Sequence, residues 1–301
     1  MKKHTEQVAS IIVTYNPDVH SLIKLIDELS NQVSKIYIID NDSNISLGLS
    51  KLDVTLTVLP SNMGIAYAQN RGLRQAINDG FSDFVLFDQD SLPSETMILD
   101  LVEARRQACD DGFQVAAVGP VHIDQDSFAN SIFISTQQGN IDKIEVPDRQ
   151  YSKVTYASCD FLIASGCLIS KTTLDSVGYM EDDLFIDCVD IEWGFRANSR
   201  GLCCIAAFDA KMYHKIGESP LKLFGKELTT HSPLRHYYFY RNFYSLLKRS
   251  YVPSCWKWHT LIKSTIQAVI FSLFLKPRVK QFSCIMKGIF HGLVGRSGRY
   301  E

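Results

Sequence analysis

The 301-residue chain has eight cysteines and no C-x-x-C pair among them. A zinc ribbon or dithiol redox site, which relies on that spacing, is therefore not expected. Cys109, Cys159, Cys167, Cys188, Cys203, Cys204, Cys255 and Cys284 include several in apolar runs, as buried thiols are. A reducing, cytoplasmic setting is the expectation. No G-x-G-x-x-G follows a strand-like run, which argues against a dinucleotide dehydrogenase. Long apolar runs are missing too. The uncharged run at 264–275 has twelve residues, whereas a membrane-spanning helix needs about 20. The N-terminal "MKKHTEQVASIIVTYN" carries basic residues, but its apolar run is too short for a secretory signal. Neither an internal repeat nor a low-complexity tract is present.

What is there suits a folded protein. Apolar residues make up 46% and charged residues 21%, and the length allows one large domain or one domain with an appendage. The formal net charge of −2 hides an asymmetry. Residues 241–301 hold eleven Lys/Arg and one acid, while the preceding 240 residues hold 20 bases and 32 acids. A basic end of this kind is expected to meet an anionic surface.

Strand-like and helix-like segments alternate. "VASIIVTYN", "KIYIIDNDSN", "VTLTVLP", "DFVLFDQD" and "QVAAVGP" read as five strands, the last stopped by Gly119 and Pro120. "SLIKLIDELS", "NMGIAYAQNRGLRQAIN" (capped by Asn62) and "SETMILDLVEARRQA" read as helices. This order predicts an α/β fold with a mostly parallel sheet flanked by helices. The polar clusters "TYNPD", "DNDSN" and "DQDS" all follow strands, so they converge on the sheet edge where ligands of such folds sit. Residues 127–151 are polar and weakly periodic, a loop or short meander.

Asp88 and Asp90 flank Gln89 after a buried strand. Two carboxylates this close repel unless a cation shares them. A hard divalent ion takes one or two carboxylates plus substrate phosphates, which favours a nucleotide-diphosphate site. A plain Asp/Ser turn is the alternative. Gly64, Ala68 and Gly72 form a helix face almost without side chains, open either to a ligand or to close packing on the sheet. Asn62 and Asn70 add polar groups near that helix. Asp40 and Asp42 end the second strand, where a nucleoside could be held by base and ribose.

"IIVTYNPD", "IIDNDSN", "NMGIAYAQNRGL", "FDQDS" and "FIDCVDIEWGFRA…RG" stand in the order of family-2 glycosyltransferases, which the chain resembles over residues 8–217. "FIDCVDIEW" with the later "YYFYRN" is most similar to bacterial rhamnosyltransferases. The resemblance implies a GT-A fold and inverting transfer from a nucleoside-diphosphate sugar, dTDP-rhamnose for the rhamnosyl subgroup. It assigns the nucleoside to Thr14, Tyr15, Asp40 and Asp42, with Asn62, Gly64 and Asn70 lining the site. It makes Asp88 and Asp90 the D-x-D pair for diphosphate and Mg²⁺ or Mn²⁺, with Asp90 the direct ligand. His214 becomes a further metal ligand or diphosphate contact, against the plain reading of a structural histidine. Ser165 and Gly166 become a turn near the acceptor, against a tight turn or packed strand.

Inverting transfer needs a base. Read as a helix from Asp187, "FIDCVDIEWGFRA" puts Asp187, Asp190 and Gly194 on one face, with Gly194 leaving room beside the carboxylates. Glu192 lies four residues before Arg196, as in a helical ion pair, and Asp187 stands as an N-cap. Asp190 aligns with the family's base, and Asp187 is the reserve. Relatives carry Glu-Asp where this chain has Val189-Asp190, so any support from that Glu is missing.

The division expected is a catalytic domain at 1–217 and a helical, membrane-associating region at 218–301. In "FSCIMKGIFHGLV", Phe282, Ile285, Met286, Ile289, Phe290 and Leu293 share helical spacing, with Lys280, Lys287 and His291 opposite. This is the pattern of an interfacial helix, or of a core-packed one. A lipid-diphosphate-linked saccharide acceptor would explain the tail and would engage Arg241, which could equally serve as a salt-bridge partner. The chain is then peripheral on the inner face of the cytoplasmic membrane, in polysaccharide (O-antigen) assembly, with no nucleic-acid partner. The competing readings are a haloacid-dehalogenase-type phosphatase and a non-catalytic, membrane-bound sugar-nucleotide binder. The former leaves "VTYNP" and "NMGIAYAQN" unused and usually carries its D-x-D after the first strand.

Overall fold

The structure is a computed structural model that describes residues 8–50, 52–125, 127–148, 150–214, 218–223 and 226–300. The first half alternates β1 (Val8–Thr14), α1 (Val19–Ser30), β2 (Lys35–Asp40), β3 (Thr55–Val58), α2 (Ile65–Asn78), β4 (Asp83–Asp88), β5 (Leu92–Pro93), α3 (Met97–Asp110) and β6 (Val115–Asp124). A small hairpin, β7 (Phe133–Ser135) and β8 (Asp142–Ile144), is the short meander expected there. Then follow β9 (Tyr156–Cys159), β10 (Leu168–Ser170), α4 (Lys171–Val177), α5 (Val189–Asn198) and β11 (Cys203–His214). The chain closes with the hairpin β12 (Glu218–Leu223) and β13 (Lys226–Thr230), then α6 (Pro233–Leu246), α7 (Ser254–Phe274) and α8 (Arg278–Val294).

One sheet organises these elements in the order β3-β2-β1-β4-β10-β6-β11-β5, with β9 on β11. β3, β2, β1 and β4 are mutually parallel, as are β6 and β11, while β10 runs antiparallel between β4 and β6. Every residue of β1 is buried, because helices cover both faces of a parallel sheet. Side-chain alternation splits its residues between two cores. Ile11 and Val13 pack with Ala68, Leu73 and Ala76 of α2. Val8 and Ile12 pack with Leu22, Leu25 and Leu29 of α1 and with Ile98 and Leu101 of α3. The order reverses between β1 and β4, which makes the space beyond their carboxyl ends the ligand crevice of an open α/β sheet.

Several local expectations change. β6 does not stop at Gly119 and Pro120 but runs through them. Proline cannot donate to the ladder, and β11 bulges there, skipping from Ala207 opposite Pro120 to Lys211 opposite Val121. α2 is capped by Gly64 rather than Asn62, whose Oδ1 instead accepts from the Gly64 amide at 3.1 Å. The small-residue face of α2 serves packing at Gly72: a Cβ there would lie 2.5 Å from Ile11 Cγ2. The boundary expected at 217 is not a break in packing. Phe243 and Leu246 of α6, with Val252 and Trp256, belong to the same core as α2 and α5. Residues 218–223 and 226–230 form strands, not helix. α8 docks on α6 through Ile285, Gly288 and Gly292. Its His291 turns inward, its Nδ1 2.8 Å from the Tyr237 hydroxyl, instead of joining the lysines outside.

Gly72→Ala is expected to destabilise the protein by about 1–3 kcal/mol through overpacking against Ile11. Alanine at an unconstrained helix position would instead stabilise by about 1 kcal/mol relative to glycine. Thermal denaturation distinguishes the two signs.

Candidate active site

A cleft of about 800 Å³ opens at the carboxyl ends of β1 and β4. The strand ends and α2 line it with Tyr15, Asn41, Asn62, Gly64, Asp88, Gln89 and Asp90, and the later chain with residues 185–191 and Arg235. The Gln89 side chain ties the strand ends together. Its Oε1 accepts from the Tyr15 amide at 2.7 Å and its Nε2 donates to the Tyr15 carbonyl at 3.3 Å. The aspartates on either side of Gln89 are thereby held at the rim, with Asp90 exposed. Ser165 lies beneath them. Its Oγ accepts from the Asp88 amide at 2.9 Å and sits 2.7 Å from Ser91 Oγ.

Of the residues read from the sequence, Tyr15, Asn62, Gly64, Asp88, Asp90, Asp187 and Asp190 come together in this cleft. Others stand behind it. Asp40 is buried and accepts from Thr14 Oγ1 at 2.7 Å and from Ser43 Oγ at 2.6 Å, so Thr14 and Asp40 brace the loop after β2. Asp42 is exposed, at φ 68°, outside the lining. Asn70 faces the other way. Its Nδ2 donates to the Met180 carbonyl at 2.8 Å and to Asp182 at 2.6 Å, and its Oδ1 accepts from the Met180 amide at 3.1 Å. Gln69, not read from the sequence, lines the cleft in its place. Its Oε1 is buried and has no hydrogen-bond partner among the described residues. Ser165 and Gly166 are not among the lining residues, which there are Ile163 and Ala164. A Cβ on Gly166 would strike Pro120. The His214 side chain lies outside the described residues.

The wall from the later chain is a strained loop. Phe185, Asp187 and Cys188 all have positive φ, at 63°, 65° and 62°. Non-glycine residues in that region cost of order 1–3 kcal/mol each and persist only where surroundings over-determine them. Asn242 on α6 supplies much of that determination: its Nδ2 is 2.8 Å from each of the carbonyls of Leu184, Ile186 and Asp187. Arg241 adds bonds to the carbonyls of Leu184, Asp183 and Gly298. Arg241 is 1% exposed, with its guanidinium over the rings of Tyr237 and Tyr238, and it forms no carboxylate salt bridge among the described residues. Gly64 closes the loop from the far side. The following amide, of Ile65, donates to the Phe185 carbonyl at 2.7 Å, and a Cβ on Gly64 would lie 2.6 Å from that oxygen.

The loop delivers Asp190 to the first turn of α5, whose N-cap is Cys188 rather than Asp187. Asp187 is held instead by Arg235, at 2.6 Å. Glu192 forms the expected ion pair with Arg196, at 2.8 Å, and also accepts from the Tyr251 hydroxyl at 2.6 Å. Gly194 lets α5 approach the Asp160 carbonyl and Phe161, and it lines a small pocket together with Asp190. Behind Asp190 is an apolar pocket of about 20 Å³, lined by Leu86, Cys167 and Trp193 among others. Burial against these groups pushes the Asp190 carboxyl up to about 6, aided by the charges of Asp187 and Asp88. A carboxylate so placed is a stronger base than an exposed one.

A crevice at the β1/β4 switch point, lined by paired carboxylates and by a further, partly buried carboxylate, has the makings of a nucleotide-diphospho-sugar transferase. The solved structures agree on the fold. The structure of GalNAc-T7 with UDP, GalNAc and Mn²⁺ matches with a TM-score of 0.60 and 11% identity over 98% of this chain, which spans 58% of that chain. S. aureus TarS 1-349 matches with a TM-score of 0.57 and 15% identity over 95% of this chain and 81% of that one. The fold is GT-A. Residues 10–178 match Glycosyl transferase family 2. The dTDP-rhamnosyl transferase RfbF of Shigella flexneri is 33% identical over 303 aligned positions, covering 98% of each chain. The chain belongs to glycosyl transferase family 2 and is a glycosyltransferase, which sets aside the phosphatase and non-catalytic readings.

Two stability predictions follow from the wall around Asp190. With its folded pKa raised above the unfolded value, its contribution favours folding at low pH and is lost as pH rises through about 6. Asp190→Asn is therefore expected to stabilise the fold at pH 7.5 by on the order of 1–3 kcal/mol, read as a raised melting temperature, and to have little effect near pH 4. Asn242→Leu leaves buried carbonyls unpaired and is expected to cost about 1–3 kcal/mol or more, measured by denaturant titration.

Proposed function

We propose that the chain transfers L-rhamnose from dTDP-rhamnose, with inversion, to a hydroxyl of a lipid-diphosphate-linked saccharide in bacterial cell-surface polysaccharide assembly. The rhamnosyl donor is supported by the identity to RfbF across 98% of both chains. The reaction rests on one observation: Asp190 and the Asp88–Asp90 pair line the same cleft.

In this reading the nucleoside diphosphate lies along Tyr15, Asn41 and Asn62, with its phosphates at Asp88 and Asp90. Asp190 takes the proton from the acceptor hydroxyl, whose oxygen attacks the anomeric carbon. The bond from that carbon to the diphosphate oxygen breaks, and dTDP leaves with the bonding pair. Asp187, paired with Arg235, keeps a second negative charge beside Asp190 and so favours proton uptake. Gln69 presents an acceptor oxygen to the same space.

A divalent ion fits the two rim carboxylates. Among the described residues no third His, Cys, Asp or Glu joins them into a cluster. That suits Mg²⁺ or Mn²⁺, which completes its shell with substrate phosphates and water. Mn²⁺ is named with the GalNAc-T7 structure. When bound, the ion offsets the negative charge that grows on the leaving diphosphate.

The C-terminal helices fit a peripheral membrane role on the inner face of the cytoplasmic membrane. Trp258, Ile262, Ile266, Val269 and Leu273 of α7 are exposed, as are Phe282, Met286, Phe290 and Leu293 of α8. Lys257, Lys263, Arg278, Lys280 and Lys287 stand among them, and neither helix carries an acid. No described helix is long and apolar enough to cross a membrane. An apolar face flanked by bases suits a helix lying in an anionic interface. Residues 218–301 would then carry the membrane-facing surface beside a catalytic domain at 1–217.

Thermal shift with nucleoside diphosphates tests the donor site. dTDP and dTDP-rhamnose with Mg²⁺ are expected to raise the melting temperature, and Asp90→Ala to abolish the metal-dependent part. A shift with UDP alone would remove the rhamnose assignment. In turnover assays kcat/KM is expected to fall about tenfold per pH unit below the Asp190 pKa, since the base must be unprotonated, and Asp190→Asn to lose about 10²–10⁴-fold. A flat pH profile from pH 7 to 4.5 would remove Asp190 from the role.

A further inference from the structure

A second cavity, of about 350 Å³, lies beside the cleft between α5, α6 and α7. It shares Asp187, Ile191, His231 and Phe239 with the cleft, so the two spaces join one turn from Asp190. Its walls include the aromatic rings of Phe161, Phe239, Tyr240, Trp256 and Phe271. α7 contributes His259, Lys263 and Gln267 on successive turns, with His259 and Lys263 exposed. Among the described residues the only acid on the lining is Asp187, which is already paired with Arg235. The donor chemistry described above uses none of the α7 residues.

We infer that this cavity is the acceptor subsite and that its occupant is a saccharide carrying a phosphate. The inference rests on the transferase reading. The volume is in the range of small-molecule sites, which pair apolar and aromatic walls with a few placed polar groups. A sugar ring offers C–H faces to the aromatic rings. Lys263 serves a phosphate as a point-charge partner, and His259, one turn away, adds a donor. A ring seated there directs a hydroxyl through the Asp187–Ile191 junction toward Asp190. Ile262 and Ile266, beside Lys263 on the helix surface, are exposed. An alkyl chain on the phosphate would run along them.

Two variants on α7 test this: Lys263→Glu, which reverses the charge at an exposed position, and Gln267→Phe, which fills the space. The probes are 1-phosphates of glucose, galactose, N-acetylglucosamine and rhamnose, each free and as its decyl phosphodiester, titrated with dTDP and Mg²⁺ present. Tryptophan fluorescence, with Trp256 on the cavity wall, reports binding. At least one probe is expected to bind the parent, at least tenfold more weakly to either variant, while the dTDP-induced thermal shift stays at the parental value in both. Tighter binding of the decyl form assigns the phosphate to a lipid, and equal binding to a soluble sugar phosphate; either supports the subsite. Parental affinity in both variants would overturn it, as would no binding of any probe to a parent that still responds to dTDP. A parent that binds a probe but shows no response to any nucleotide would instead overturn the donor reading and, with it, the acceptor role, leaving the cavity a sugar-phosphate site.

Discussion

The site depends on holding a short backbone in a conformation it would not adopt alone. Residues 185–188 turn through three left-handed non-glycine positions, and the Asn242 amide nitrogen meets three of the carbonyls around them. Arg241, sealed from water between tyrosine rings, takes the carbonyls next in line. Burial lowers the Arg241 pKa, so the guanidinium's charge is itself costly there and is offset by the backbone oxygens and rings around it. This clamp on α6, with the Ile65 amide on the Phe185 carbonyl and Arg235 on Asp187, fixes where α5 begins. The position of Asp190 is thus set by a helix some fifty residues further along the chain.

The other wall follows from sheet topology. β1 and β4 are adjacent and parallel, with Val13 opposite Asp88, so the turns after both strands emerge side by side. Gln89 then laces those turns, and Ser165 supports them from below. Two like charges are in this way kept at one rim by neutral hydrogen bonds that do not compete for a cation. The two walls meet at Gly64, where any side chain would push the strained loop away.

The C-terminal helices do two jobs at once. α6 and the start of α7 belong to the main core, while the exposed faces of α7 and α8 remain apolar and basic. The part of the chain that would touch a bilayer is therefore rigidly coupled to the part that holds Asp190. A cavity between them shares residues with the cleft, which places any molecule arriving from the α7 side next to the reacting groups.

Much of this was legible from residue order. The buried runs ending in "TYN", "DND" and "DQD", and the alternation with helical spacing, define a parallel sheet and the edge where its ligands bind. Asp88, Asp90 and Asp190 stand out because acids at strand ends and helix starts have few local partners, and Glu192–Arg196 is a local pair four residues apart. Other assignments needed the folded chain. Asn70 bonds residues 110–112 positions away, Arg241 and Asn242 reach back 55–58 positions, and Ser165 meets a turn 77 positions earlier. Their types suit ligand binding and backbone bracing equally well. Sequence by itself determined which elements form and which carboxylates reach the sheet edge, because periodicity and turn chemistry act over a few residues. Only the tertiary structure decided which polar groups face the cleft and which are consumed inside the protein, because every buried donor and acceptor must find a partner, and those partners lie far away along the chain.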